Sequence, residues 1–107
     1  MNNRLLLHSL TKLCGTSLKQ VASATGVRLS RLREAAEGWP LREANQEAVN
    51  AYAKWLLRDA YTAASKRLLA LPELRSHPAS QRYLSDLESA YQTAFGVALL
   101  DDGEVCK

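Results

Sequence analysis

The sequence predicts an all-α fold, on three observations. Alanine and leucine dominate while β-branched residues are few, which favours helix on intrinsic propensity. Apolar residues recur at three- and four-residue steps along most of the chain. Only three prolines and five glycines interrupt that periodicity. With 47% hydrophobic and 23% charged residues in a chain of 107, the makeup is that of one globular domain with no long disordered part. The expected architecture is a domain of five helices, the fourth unusually long and the fifth C-terminal.

The first helix starts at Asn2 or Asn3, either of which caps a run in which Leu6, Leu7, Leu10 and Leu13 share a face. It ends near Cys14-Gly15 and is expected to lie across the next two helices and close their core. His8 falls on the flank of the leucine stripe and, with no partner carboxylate or second ligand nearby, reads as a surface or packing residue.

The stretch from Ser17 to Gly38 reads as two short helices joined by a tight turn. Ser17 followed three residues later by Gln20 has the form of a capping box. Gly26 stops the first of the pair, because glycine enters the left-handed region without a Cβ penalty. Ala22, four residues earlier, is small enough to let the second helix cross closely. Val27, Leu32 and Ala35 close a small core from the other side, and Gly38 with Pro40 ends the second helix near Glu37. Trp39-Pro40 is expected to act as a structural wedge that fixes how the next helix departs.

From Arg42 to about Leu71 the sequence is helical almost without interruption. Val49, Ala53, Leu56, Ala60 and Ala63 form one stripe, which Tyr52, Trp55, Leu68 and Leu71 widen. No proline or glycine demands a bend near Arg58-Asp59. Pro72 stops this helix, and Glu73 to Ser76 read as a connector. The last helix runs from Pro78 or Ala79 to about Phe95, with Leu84, Leu87, Ala90, Tyr91 and Ala94 on one face and Tyr83 and Phe95 beside it. Gly96 ends it, and Val97 to Leu100 form an apolar tail before Asp101-Asp102.

A net charge of +3 is only mildly basic, but its distribution is uneven. Up to Arg42 the bases are Arg4, Lys12, Lys19, Arg28, Arg31, Arg33 and Arg42, against Glu34 and Glu37. From Glu43 onward acids slightly outnumber bases, so one half suits a polyanion and the other suits a protein surface. Cys14 and Cys106 share no metal or redox spacing with each other or with His8 and His77, and read as reduced thiols of a cytoplasmic protein. Leu5 to Leu7 is too short to span a bilayer, so no membrane contact is expected. Asp59, Asp86 and Glu88 pair with no histidine or nucleophile and no phosphate-cradling loop is present, so neither enzyme activity, a metal nor a cofactor is expected.

The spacing of Ala22, Gly26-Val27, Ser30, Leu32, Ala35 and Gly38 resembles the lambda-repressor-like helix-turn-helix family of the Cro/repressor, Xre type, over about Leu5 to Leu57. The resemblance implies that the second helix of the pair enters the major groove of double-stranded DNA. Base contacts are then expected from Arg28, Leu29, Ser30, Arg31, Arg33 and Glu34, because an arginine fork donates to guanine and a serine hydroxyl to a base or phosphate. Leu29 either touches a thymine methyl or packs on the preceding turn. Glu34 either accepts from a cytosine amine or orients Arg31 or Arg33, and orientation is favoured because an unpaired carboxylate near phosphates is repelled. Ser17, Lys19 and Arg42 are the expected phosphate contacts, the first two at a helix N-terminus whose amides favour anions.

A single such motif covers few base pairs, so a homodimer on a near-palindromic operator is expected, its reading helices roughly 34 Å apart. Residues 1–57 then form the DNA-binding part and residues 58–107 the helical extension, with Leu84, Leu87, Tyr91 and Phe95 as dimerisation residues. The expected function is a sequence-specific transcriptional regulator, a small repressor of the phage or mobile-element type. The alternative is an antitoxin or inhibitor-type module whose C-terminal helices hold a protein partner.

Overall fold

The structure is a computed structural model and describes residues 2–101; Asp102 and Cys106 lie outside them. The described residues form six α-helices, α1 (Asn3–Leu13), α2 (Leu18–Thr25), α3 (Leu29–Ala36), α4 (Glu43–Ala70), α5 (Pro72–Arg75) and α6 (Pro78–Phe95), with a 3-10 turn at Leu99–Asp101 and no strand. The chain divides into two compact units, Met1–Leu56 and Leu57–Lys107, and α4 supplies residues to both.

In the first unit, the Asn2 side chain caps α1 by accepting from the Leu5 amide at 3.1 Å. Leu6, Leu7 and Leu10 of the expected stripe are buried and Leu13 is half-buried. Both α1 and α2 pack on α3. Val21, Val27, Leu32, Ala35, Val49 and Ala53 complete the buried apolar set of the unit. Fully burying a side chain of this size contributes about 1.5–3 kcal/mol, so these contacts, not helix propensity, hold such short helices.

The buried side of α4 differs from the expected stripe. Of that stripe Val49, Ala53 and Leu68 are buried, Leu56 and Ala60 only half so, and Trp55 and Ala63 exposed, as is Leu71 just past the helix, while Leu57, outside the stripe, is buried. The helix is turned toward Gln46 and Asn50, two polar residues that an apolar count ignores. Asn3, itself buried, exchanges two hydrogen bonds with Gln46: Asn3 Nδ2 donates to Gln46 Oε1 at 2.8 Å, and Gln46 Nε2 donates to Asn3 Oδ1 at 2.9 Å. Gln46 Nε2 also donates to Asn50 Oδ1 at 2.9 Å. Because Asn3 and Gln46 satisfy each other, polar groups can face inward here.

The second unit contains the sixth helix that the sequence reading lacked. Pro72 ends α4, yet it also opens α5, since a fixed φ and a missing N–H suit the first helical position. The result is one turn, Pro72–Arg75, where a connector was expected. α6 packs on α5 and on the 3-10 turn. His77 caps α6 through Nδ1, which accepts from the Ala79 amide at 3.1 Å. Leu87, Tyr91 and Leu99 are buried, and Arg58 Nη2 donates to the Tyr91 hydroxyl at 2.8 Å with its guanidinium over the ring. Tyr61 donates to Glu88 Oε2 at 3.0 Å.

Candidate nucleic-acid interface

The candidate interface is built on α2, the turn Gly26 to Arg28 and α3. The N-terminus of α2 carries a complete capping box. Ser17 Oγ accepts from the Gln20 amide at 3.2 Å, and Gln20 Oε1 accepts from the Ser17 amide at 2.9 Å and from the Thr16 hydroxyl at 3.1 Å. The C-terminus ends at Gly26 in the left-handed region, φ 78, with its amide donating to the Ala22 carbonyl at 2.9 Å. Thr25 secures the turn in a way the sequence reading missed. Its hydroxyl donates to the Val21 carbonyl at 2.7 Å and accepts from the Val27 amide at 3.2 Å. A Thr before a Gly was the available signal, because a short hydroxyl side chain can take up backbone groups that a helix end leaves open.

α3 begins where that turn releases the chain, and Val27, Leu32 and Ala35 fix its inner side. It ends in a Schellman motif: the Gly38 amide donates to the Ala35 carbonyl and the Trp39 amide to the Glu34 carbonyl, both at 3.0 Å, with Gly38 at φ 111. Trp39, expected with Pro40 as a structural wedge, is 64% exposed.

With α3 anchored by Leu32 and Ala35, Arg28, Ser30, Arg31, Arg33 and Glu34 are all exposed, and Leu29 is half-buried against the fold. Ser30 and Glu34, four residues apart, stand opposite the buried pair, with Arg31 and Arg33 on either flank. Of these residues the structure brings Arg31 and Glu34 together: Nη1 donates to Oε1 at 3.2 Å. Ser17 and Lys19 are exposed at the start of α2, and Arg42 is exposed beyond the Schellman turn, just before α4. All seven basic residues up to Arg42 are exposed, so their charge faces solvent.

Of the four residues expected at a dimer surface, Leu84 and Phe95 are half-buried and retain some surface. Leu87 and Tyr91 are fully buried within the single chain and have none to offer a partner. The periodicity that marked them as one face is the signature of a side packed on the chain itself. Among the described residues, no group of three or more His, Cys, Asp and Glu side chains comes together to hold a metal. No helix of the described residues is long and apolar enough to cross a membrane. No protein-family model matches the chain, and no curated protein or solved structure matches it.

Proposed function

We propose that this chain is a sequence-specific regulator that binds double-stranded DNA, with α2 and α3 acting as a helix-turn-helix and α3 as its reading helix. The observation that carries the reading is the exposed row Arg28, Ser30, Arg31 and Arg33 on a helix anchored from behind by Leu32 and Ala35. Such an element can enter a major groove without disturbing the core that holds it, and guanidinium forks match the O6 and N7 acceptors of guanine. Lys19, and Ser17 at the start of α2, meet phosphates to either side and set the register, with Arg42 as a further contact. The regulator is a small repressor of the phage or mobile-element type, acting by occupying its operator as a homodimer.

Selection of bound duplexes from a random DNA pool tests the reading directly; recovery of an inverted repeat supports both the target and the twofold symmetry. On the recovered duplex, Arg31→Ala is expected to cost roughly 1–3 kcal/mol and to relax selectivity at one position, whereas Lys19→Ala weakens all sequences alike and flattens the salt dependence. Equal losses on selected and random DNA for Arg31→Ala remove its assignment as a base contact. A second reading, a module that holds a protein partner, is favoured by the exposed Leu69 and Leu71 of the second unit, 69% and 43% accessible. A stoichiometric partner in a pull-down, with no DNA retardation at moderate salt, would support it over the first.

A further inference from the structure

Glu34 occupies the middle of the outward side of α3, four residues after Ser30 and between Arg31 and Arg33. A carboxylate is the least suitable group to place at the centre of a face that meets a polyanion. Its Oε1 accepts from Arg31 Nη1 at 3.2 Å, and both side chains stay more than half exposed, at 60% for Arg31 and 51% for Glu34. A pair so open to water adds little to folding. The helix end needs only the Glu34 backbone carbonyl, which accepts from the Trp39 amide. The carboxylate therefore adds little to the fold, and the side chain it meets is Arg31.

We propose that Glu34 is a positioning residue that sets the selectivity of the α3 face, keeping the Arg31 guanidinium off DNA phosphates and leaving its remaining donors for a base. The proposal rests on the reading of α3 as the DNA-reading helix. A guanidinium has five donors; with one given to Glu34, the others still reach a paired acceptor such as the O6 and N7 of guanine. Without Glu34, a long side chain rich in rotamers takes the nearest phosphate on any duplex. That capture weighs most on complexes held by phosphate contacts alone, which are the non-specific ones. Glu34 thus lowers affinity for random DNA while sparing a matched site where Arg31 finds its base.

The test uses the full chain and two duplexes of equal length, one recovered from the random pool and one scrambled, with wild type, Glu34→Gln, Arg31→Ala and the double variant. Glutamine keeps the length and helix propensity of glutamate, and an unchanged helical signal and melting temperature establish that each variant is folded. Glu34→Gln is expected to bind the scrambled duplex about three- to fivefold tighter with the selected duplex nearly unchanged, so that selectivity falls by that factor. The salt slope on scrambled DNA steepens by up to about one. With Arg31 already replaced, Glu34→Gln changes selectivity by less than about twofold, the signature of an effect exerted through that residue.

An equal effect with and without Arg31 would overturn positioning in favour of simple charge repulsion. A loss on the selected duplex with a changed preference at one base pair, and no gain on scrambled DNA, would show that Glu34 reads a base itself and would also overturn the proposal. Unchanged selectivity in Glu34→Gln sinks the proposal while leaving α3 as the reader. A wild type that does not distinguish the duplexes removes the reading of α3, and the proposal with it.

Discussion

Gly26 carries the turn between α2 and α3, and its contribution is purely conformational. At φ 78 the backbone lies where an L-residue is strained, yet nothing stands within 4 Å of the place a Cβ would occupy. Alanine there meets no steric obstacle and only the left-handed penalty. Gly26→Ala is therefore expected to destabilise the fold by about 1 kcal/mol. A urea titration should show a lower midpoint with an unchanged slope. An unchanged or raised midpoint would mean that the backbone at 26 is not left-handed in solution. Thr25 acts beside it through bonds rather than conformation, since its hydroxyl ties Val21 to Val27 across the same turn. The outward residues depend on both, because the turn decides which side of α3 meets Val27, Leu32 and Ala35 and hence which side is left to Ser30 and Glu34.

The elements show how burial and charge meet on one helix. Within the second unit, Tyr61 of α4 donates its hydroxyl to the Glu88 carboxylate of α6. Burial, then the hydrogen bond to Glu88, then the charge of that carboxylate, all raise the Tyr61 pKa above its ordinary value near 10. A raised pKa means that ionisation is harder in the folded chain than in the unfolded one. The associated stability is complete below the unfolded pKa and is lost as pH rises through the higher folded value. Melting temperature is therefore expected to fall above about pH 10, and Tyr61→Phe should shallow that fall. Superimposable melting-temperature profiles for wild type and Tyr61→Phe from about pH 9 to 11 would contradict the alkaline role given to Tyr61. The same helix shows the limit of counting apolar residues. Asn3, Gln46 and Asn50 join in one inward network, and Trp55 is left 59% exposed with its ring 6.2 Å from that of Tyr52.

For the whole molecule, assembly is the property that matters most to the proposed function. One reading helix covers too few base pairs for a tight specific complex, so the regulator reading requires two copies. Leu87 and Tyr91 are spent on the chain's own interior. Among its described residues the second unit still exposes Leu69, Leu71, Val97 and Leu100, which have apolar surface to give. Sedimentation at micromolar concentration is expected to return a dimer. A monomer under those conditions would remove the homodimer from the proposal, and with it the tight specific complex that needs two reading helices.

Local signals determined much of this protein from the sequence. Asn2, Ser17 with Gln20, Gly26, Gly38 and Gly96 each stand at the helix end the sequence places there, because capping is settled by a few neighbouring backbone groups. Leu6, Leu7 and Leu10 of α1 and the pair Leu32 and Ala35 are buried as their spacing requires, although Leu13 is only half so, and with Leu32 and Ala35 the exposure of Arg28, Ser30, Arg31 and Glu34 was legible. Tertiary structure alone decided which way α4 turns, that Tyr91 is interior and that Trp39 lies open. The physical reason is range: a cap is satisfied within four residues, whereas Gln46 faces inward only because Asn3, 43 positions away, offers the complementary amide.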